Sequence, residues 1–179
     1  KIQNNPKNSV VACRIKRSEG NFFKFAYFMH KFITLIFTGS KINFGNFSCL
    51  TKNDVNKISS KASLWSSYSG TVKRYLSQLE TINSVRGIRY FGPSKMSLLH
   101  LIEHSFAIIA VFKYQVLLRS SLLILVLFFL NNNLGFFSII MQSILVLFCV
   151  IIFIVSSREK KDELINSQEN LKNVNDIAH

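Results

Sequence analysis

Between Ser120 and Ser157 the chain has no aspartate, glutamate, lysine, arginine or histidine. A run of that length without charge excludes an ordinary surface segment of a soluble domain, and makes a lipid bilayer the first candidate environment. Acids are scarce elsewhere too: only Glu19, Asp54, Glu80 and Glu103 precede the run. Paired-carboxylate acid–base chemistry is therefore poorly supplied. The three cysteines, Cys13, Cys49 and Cys149, are odd in number and far apart. They form no disulfide framework and suit a reducing compartment or burial in lipid. No phosphate-cradling glycine loop and no nucleophile elbow occurs. Zinc-finger spacing and the aromatic–glycine signature of RNA binders are missing as well, which argues against a nucleic-acid partner.

What is present is positive charge, unevenly distributed. Residues 1–119 carry 18 Lys+Arg and 4 Asp+Glu, a net +14; residues 158–179 carry 4 and 5, a net −1. Such an excess calls for an anionic partner, and beside apolar spans the partner of choice is acidic lipid or a phosphorylated substrate. Lysine outnumbers arginine 15 to 7 and there are 16 asparagines, a bias that reads as an AT-rich bacterial coding sequence. The chain opens on Lys1. An N-terminally incomplete protein is expected.

Along the chain, Ser9–Ile15 is a β-prone run ending in the cluster Arg14, Lys16 and Arg17. Asn21–Phe37 predicts an aromatic-rich helix with Lys24 and Lys31 on one edge. It suits either a membrane surface or a core with two snorkelling lysines. Lys41–Leu50 alternates as a strand with a glycine irregularity, and Thr51–Asp54 resembles a capping box opening a short helix. A helix weakened by Gly70 is expected over Leu64–Leu79, then a strand over Ile82–Tyr90. Ser97 opens an amphipathic helix whose polar face carries His100, Glu103 and His104. Two spans follow, Val116–Leu130 with Arg119 snorkelling near its start, and Leu134–Val155. Cations flank both outer ends and the turn Asn131–Gly135 is uncharged, so both chain ends are expected in the cytoplasm.

Two constellations carry candidate chemistry. His100-Leu-Ile-Glu-His104 fits a helical zinc pattern, but nothing downstream offers a third ligand, and a polar face on an interfacial helix explains it as well. Arg86, Arg89, Ser94, Lys95 and Ser97 fall within twelve residues, just before that helix. Arginine forks and helix N-terminal amides bind phosphate oxygens, while a solvated basic loop is the plain alternative.

The order of these features resembles the C-terminal half of family 2 glycosyltransferases of the polyprenyl-phosphate type, related to dolichyl-phosphate mannose synthase. The motif R-x-x-R-x-x-G-x-S-K-M-S over residues 86–97, then an amphipathic helix and an apolar hairpin, carries the resemblance. Upstream, Val10–Arg14 is similar to that family's valine-rich strand ending in arginine, and Phe22–Phe37 to its amphipathic helix. Ile42–Leu50 is similar to its N-x-G-D/N-F-x-L-L strand, and Trp65–Arg74 falls where the family has a helix closing the sugar site. The resemblance implies an α/β fold: a partial GT-A domain over residues 1–95, an interfacial helix over 96–114, two membrane helices over 115–156 and a cytoplasmic tail over 157–179. It implies that Arg14, Arg86, Arg89, Ser94 and Lys95 bind the phosphates of a nucleotide-sugar donor or a polyprenyl-phosphate acceptor. Asn46 stands where many relatives carry an aspartate near the transferred sugar. The divalent cation, Mg or Mn, and the donor site are expected in a missing N-terminal half, leaving no metal in this chain and no turnover by it alone. The implied location is the bacterial inner membrane. Two alternatives are a family 2 enzyme acting on another cell-envelope glycan and a non-enzymatic two-span protein binding anionic lipid or a partner.

Overall fold

The computed structural model describes residues 8–16, 21–85 and 97–167. Over these the chain runs β1 (Ser9–Lys16), α1 (Asn21–Thr38), β2 (Phe44–Cys49), α2 (Lys52–Ser59), a 3-10 turn (Ala62–Trp65), α3 (Tyr68–Tyr75) and β3 (Leu79–Val85). Helices α4 (Leu98–Ala110), α5 (Lys113–Phe129), the single turn α6 (Asn131–Leu134) and α7 (Phe136–Ser156) complete it. The fold is mixed α/β, with one small sheet and a larger helical part.

The three strands order as β2-β1-β3. β1 pairs antiparallel with β2, through a register shift between Val11 and Cys13. It pairs parallel with β3, from Ser9 opposite Leu79 to Arg14 opposite Ser84 and Lys16 opposite Val85. Val11 of the central strand packs with Ile58, Val72 and Leu76, joined by Phe44, Leu50 and Leu64, so α2 and α3 are seated on the sheet.

Ser9 ties the start of β1 to the start of α2. Thr51 caps α2, its hydroxyl accepting from the Asp54 amide at 3.2 Å. The returning arm of the expected capping box is replaced. Asp54, 9% exposed, turns its carboxylate to the Ser9 hydroxyl at 2.5 Å, and Ser9 Oγ accepts the Thr51 amide at 3.0 Å. The Ser9 hydrogen bond, helped by Lys57 at 3.3 Å, holds the Asp54 carboxyl below its ordinary 3.8, against the opposing effect of burial. Such a carboxylate contributes its stability above the unfolded pKa and loses it as pH falls through the folded one. Ser9→Ala should therefore cost about 1–3 kcal/mol at pH 7. The difference from the parent should shrink below pH 3.8, as thermal unfolding across pH would read.

Two elements differ from the sequence expectation. The helix expected over Leu64–Leu79 is split, because Ser67 caps a new helix by accepting the Gly70 amide at 3.2 Å. Leu76 then takes extended dihedrals and leads into β3. That strand starts three residues before Ile82, since Leu79–Thr81 pair with Ser9–Val11. Residues 86–90 of the expected strand lie outside the described residues.

A second core forms where α4 meets α5. Ile109, Ala110, Val111, Phe112, Val116 and Ile152 are buried together, with Ile33 and Phe37 of α1 and Phe148 of α7 packed around them. Helix α1 thus has a buried edge, Thr34 and Thr38 included, while Phe22, Phe25, Phe28 and Phe32 remain exposed. The buried threonines satisfy themselves on carbonyls one turn back, Thr34 on His30 at 2.8 Å and Thr38 on Thr34 at 2.6 Å. Gly39, at φ +69°, ends α1 with its amide on Leu35 O at 2.8 Å. Arg119, expected to snorkel, donates to the Ile36 carbonyl at 3.0 Å and pins the end of α1 to α5.

Among the described residues α7 belongs to the one helix long and apolar enough to cross a membrane alone. Together α4 and α5 are apolar enough, but they meet at 93°. α5 lies against α7 through small buried residues, Ser120 and Ser138, and Ser138 Oγ donates to Leu127 O at 2.7 Å. The outward faces carry Leu118, Phe128, Phe129, Phe136, Leu147 and Ile154, each more than half exposed.

Candidate functional site

A cleft of about 340 Å3 opens between the sheet, α1 and α4. All three strands contribute to its wall: Ala12 from β1, Ser84 from β3, and Phe44 to Phe47 from β2. Asn46 is exposed on this wall. Helix α1 adds Tyr27, His30 and Lys31, and α4 adds His104 and Ile108.

The sequence-derived site residues divide accordingly. Asn46 is at the cleft. Arg14 is described by its backbone alone, which lies opposite Ser84, itself a wall residue. Arg86, Arg89, Ser94 and Lys95 lie outside the described residues. The segment that holds them, 86–96, joins β3 to α4, and both of those elements wall the cleft. None of Trp65–Arg74, which the resemblance places near the sugar site, lines this cleft, and Trp65 is exposed on the 3-10 turn.

The members of the zinc-like pattern separate. The His100 ring meets the capping hydroxyl of Ser97 at 2.8 Å, and Glu103 pairs with Arg158 at 3.4 Å across exposed surface. His104 turns to the cleft. Partial desolvation there lowers its pKa below the ordinary 6.5, so the ring is neutral at pH 7 and offers one donor and one acceptor. The described residues contain no group of three His, Cys, Asp or Glu that could hold a metal ion.

Comparison with protein-family models, with curated proteins and with solved structures gives no match. The function must therefore be argued from the cleft itself.

Its chemistry is that of a polar slot beside an apolar floor. Asn46 and Asn43 carry amides that donate and accept, Lys31 brings a fixed positive charge, and among the described residues no carboxylate lines the wall. An uncharged polyol can be oriented by the amides, and an anion is favoured by the lysine. Sequence reasoning missed Tyr27, His30 and Lys31. The signal was available: positions i, i+3 and i+4 share one helical face, a polar stripe inside a phenylalanine-rich helix.

Proposed function

We propose that this chain is the acceptor-side, membrane-anchoring part of a family 2 glycosyltransferase with a GT-A-type fold. It moves a sugar from a nucleotide diphosphate donor to a polyprenyl phosphate on the cytoplasmic face of a bacterial inner membrane. In this reading α4 lies along the surface, α5 and α7 form a two-span hairpin, and both chain ends are cytoplasmic. The observation that supports it is the shared cleft. Asn46, the strand position opposite Arg14, and the helix that follows the basic segment 86–96 all border one cavity, next to the apolar helices.

A phosphate acceptor also fits the poverty in carboxylates. It is already an anion at neutral pH, so attack on the sugar carbon needs no strong base; positioning and charge neutralisation carry the step. Asn46 cannot abstract a proton, and its role is to orient the sugar or acceptor by hydrogen bonds. Arg14, Arg86, Arg89, Ser94 and Lys95 bind phosphate oxygens, Arg89 and Lys95 being the pair most directly testable. In this reading the divalent cation sits with the donor diphosphate, in the donor-binding part of the enzyme.

The test is transfer of labelled sugar, from a panel of nucleotide sugars, to added polyprenyl phosphate by membranes expressing the intact gene product. A lipid-extractable glycosyl phosphate is the expected product. Label appearing only in a non-lipid glycan would move the reading to another envelope acceptor. Label in neither fraction, with the protein present in the membrane, overturns the enzyme reading.

A further inference from the structure

We propose that a second cavity, at the foot of the α5–α7 pair, is a phosphate site that takes the headgroup of an anionic phospholipid. It is separate from the Asn46 cleft, and its lipid source rests on the membrane reading above. The cavity, about 370 Å3, is bounded by Lys61 at the 3-10 turn, Arg74 of α3, Lys113 of α5, and Glu159 and Lys161 beyond α7. Among the described residues four cations face one carboxylate. Gathering like charges in one hollow is unfavourable until an anion enters, and a phosphate with two or three oxygens matches several donors at once.

Three of the four cations are held in place. The Lys61 ammonium is 5.1 Å and the Arg74 guanidinium 5.3 Å from the centre of the Tyr75 ring, on which both rest. Arg74 also donates to the Val111 carbonyl at the α4–α5 corner. Lys113 donates to Ser156 Oγ at 2.7 Å and pairs with Glu159 at 3.6 Å, joining the first residue of α5 to the last of α7. One carboxylate therefore answers one of the four cations, leaving a surplus of three.

The position of the cavity favours a lipid over free phosphate. Lys113 stands where the apolar part of α5 begins, and Glu159 and Lys161 where that of α7 ends. This is the level of a headgroup, with acyl chains running down the exposed leucines and phenylalanines. Tyr114, also on the wall, is of the type enriched at that level, and Leu164 and Ile165 give an apolar wall that inorganic phosphate does not need.

The test uses the full chain in nanodiscs of phosphatidylcholine with phosphatidylglycerol, followed by native mass spectrometry of retained lipid. Retained phosphatidylglycerol is expected on the parent. Lys61→Gln with Lys161→Gln should reduce that retention about tenfold. Lys61→Arg with Lys161→Arg should restore it, and matched thermal unfolding of both pairs shows that the fold is kept. Lys41→Gln with Lys52→Gln removes the same charge away from the cavity and should retain the lipid. Equal loss in this control and in the site variant overturns the proposal in favour of diffuse surface attraction. Saturable binding of inorganic phosphate, lost in the site variant, with no phosphatidylglycerol retained on the parent keeps the phosphate site but overturns its lipid source. A chain that stays in aqueous solution without detergent and does not enter nanodiscs overturns the membrane reading. In that case saturable binding of inorganic phosphate, lost in the site variant alone, supports the phosphate site, and its absence overturns it.

Discussion

Arg89→Ala combined with Lys95→Ala should lower sugar transfer by the intact gene product at least about a hundredfold, the scale of losing one preorganised donor to developing charge. The segment carrying both residues connects β3 to α4, and Ser84 of the one and His104 of the other wall the Asn46 cleft. In the proposed reaction phosphate oxygens on donor and acceptor must approach each other, and cations between them cancel the repulsion. Among the described residues of the cleft wall Lys31 is the lysine, and no carboxylate there competes for the substrate. The pair of substitutions thus removes two of the four cations assigned to phosphate. Arg89→Lys separates charge from geometry: it keeps the charge and loses the planar fork, so it should fall between the parent and the alanine variant. A loss expressed in kcat as well as in KM places the residues in the reacting geometry, while a loss in KM alone assigns them to binding. Transfer at the parental rate in the double variant overturns the phosphate assignment.

Much of the fold was legible in sequence because its signals are local. Val10 and Val11 mark a strand that does become the centre of the sheet, and Thr51 and Ser97 are read as helix caps by the same chemistry that makes them caps. The unbroken apolar run announces α7. What escaped depends on partners distant in the chain. Leu79–Thr81 have little strand character alone and become strand because a parallel register with Ser9–Val11 extends β3 upstream. The break at Ser66 and Ser67 hides in a pattern that continues helically across it, and it is fixed by Ser67 capping Gly70. Arg119 looks like a cation near a membrane boundary, yet it serves the end of a helix 83 residues earlier.

The candidate site divides in the same way. Asn46 was singled out by the resemblance of Ile42–Leu50 to a family strand, and in the structure it lies on the cleft wall with its β2 neighbours. His104 was noticed for its spacing from His100, but the two rings part company. His100 is drawn back to its own helix cap, a contact within three residues, while His104 faces across to the sheet. Side chains on one helical face share a direction, not a destination. The basic cavity at the foot of the α5–α7 pair was invisible in the sequence, since Lys61, Arg74, Lys113 and Lys161 span a hundred residues and meet only when α3 docks at the α4–α5 corner.

That docking explains Gly70, which looks in sequence like a weak point of a helix. A Cβ added there would stand 3.1 Å from Val111 Cγ2, 3.3 Å from Val111 Cβ and 3.4 Å from the Ile108 carbonyl oxygen. Val111 is fully buried, and the carbonyl belongs to a helix backbone. Gly70→Ala should be close to neutral, because helix propensity improves by about 1 kcal/mol while one methyl displaces the corner by a few tenths of an ångström. Gly70→Val adds two methyls where there is no room, and overpacking on that scale costs about 3 kcal/mol. For a chain of this length that is a fall in Tm of about 6–12 °C, readable by circular dichroism in a non-ionic detergent. The Arg74 hydrogen bond to Val111 leaves with the corner, so the sheet and the helical part loosen together. Val111→Ala removes the obstructing methyls, and Gly70→Val with Val111→Ala should be more stable than the sum of the single losses implies. If the two losses simply add, α3 is held by contacts other than the glycine at the corner.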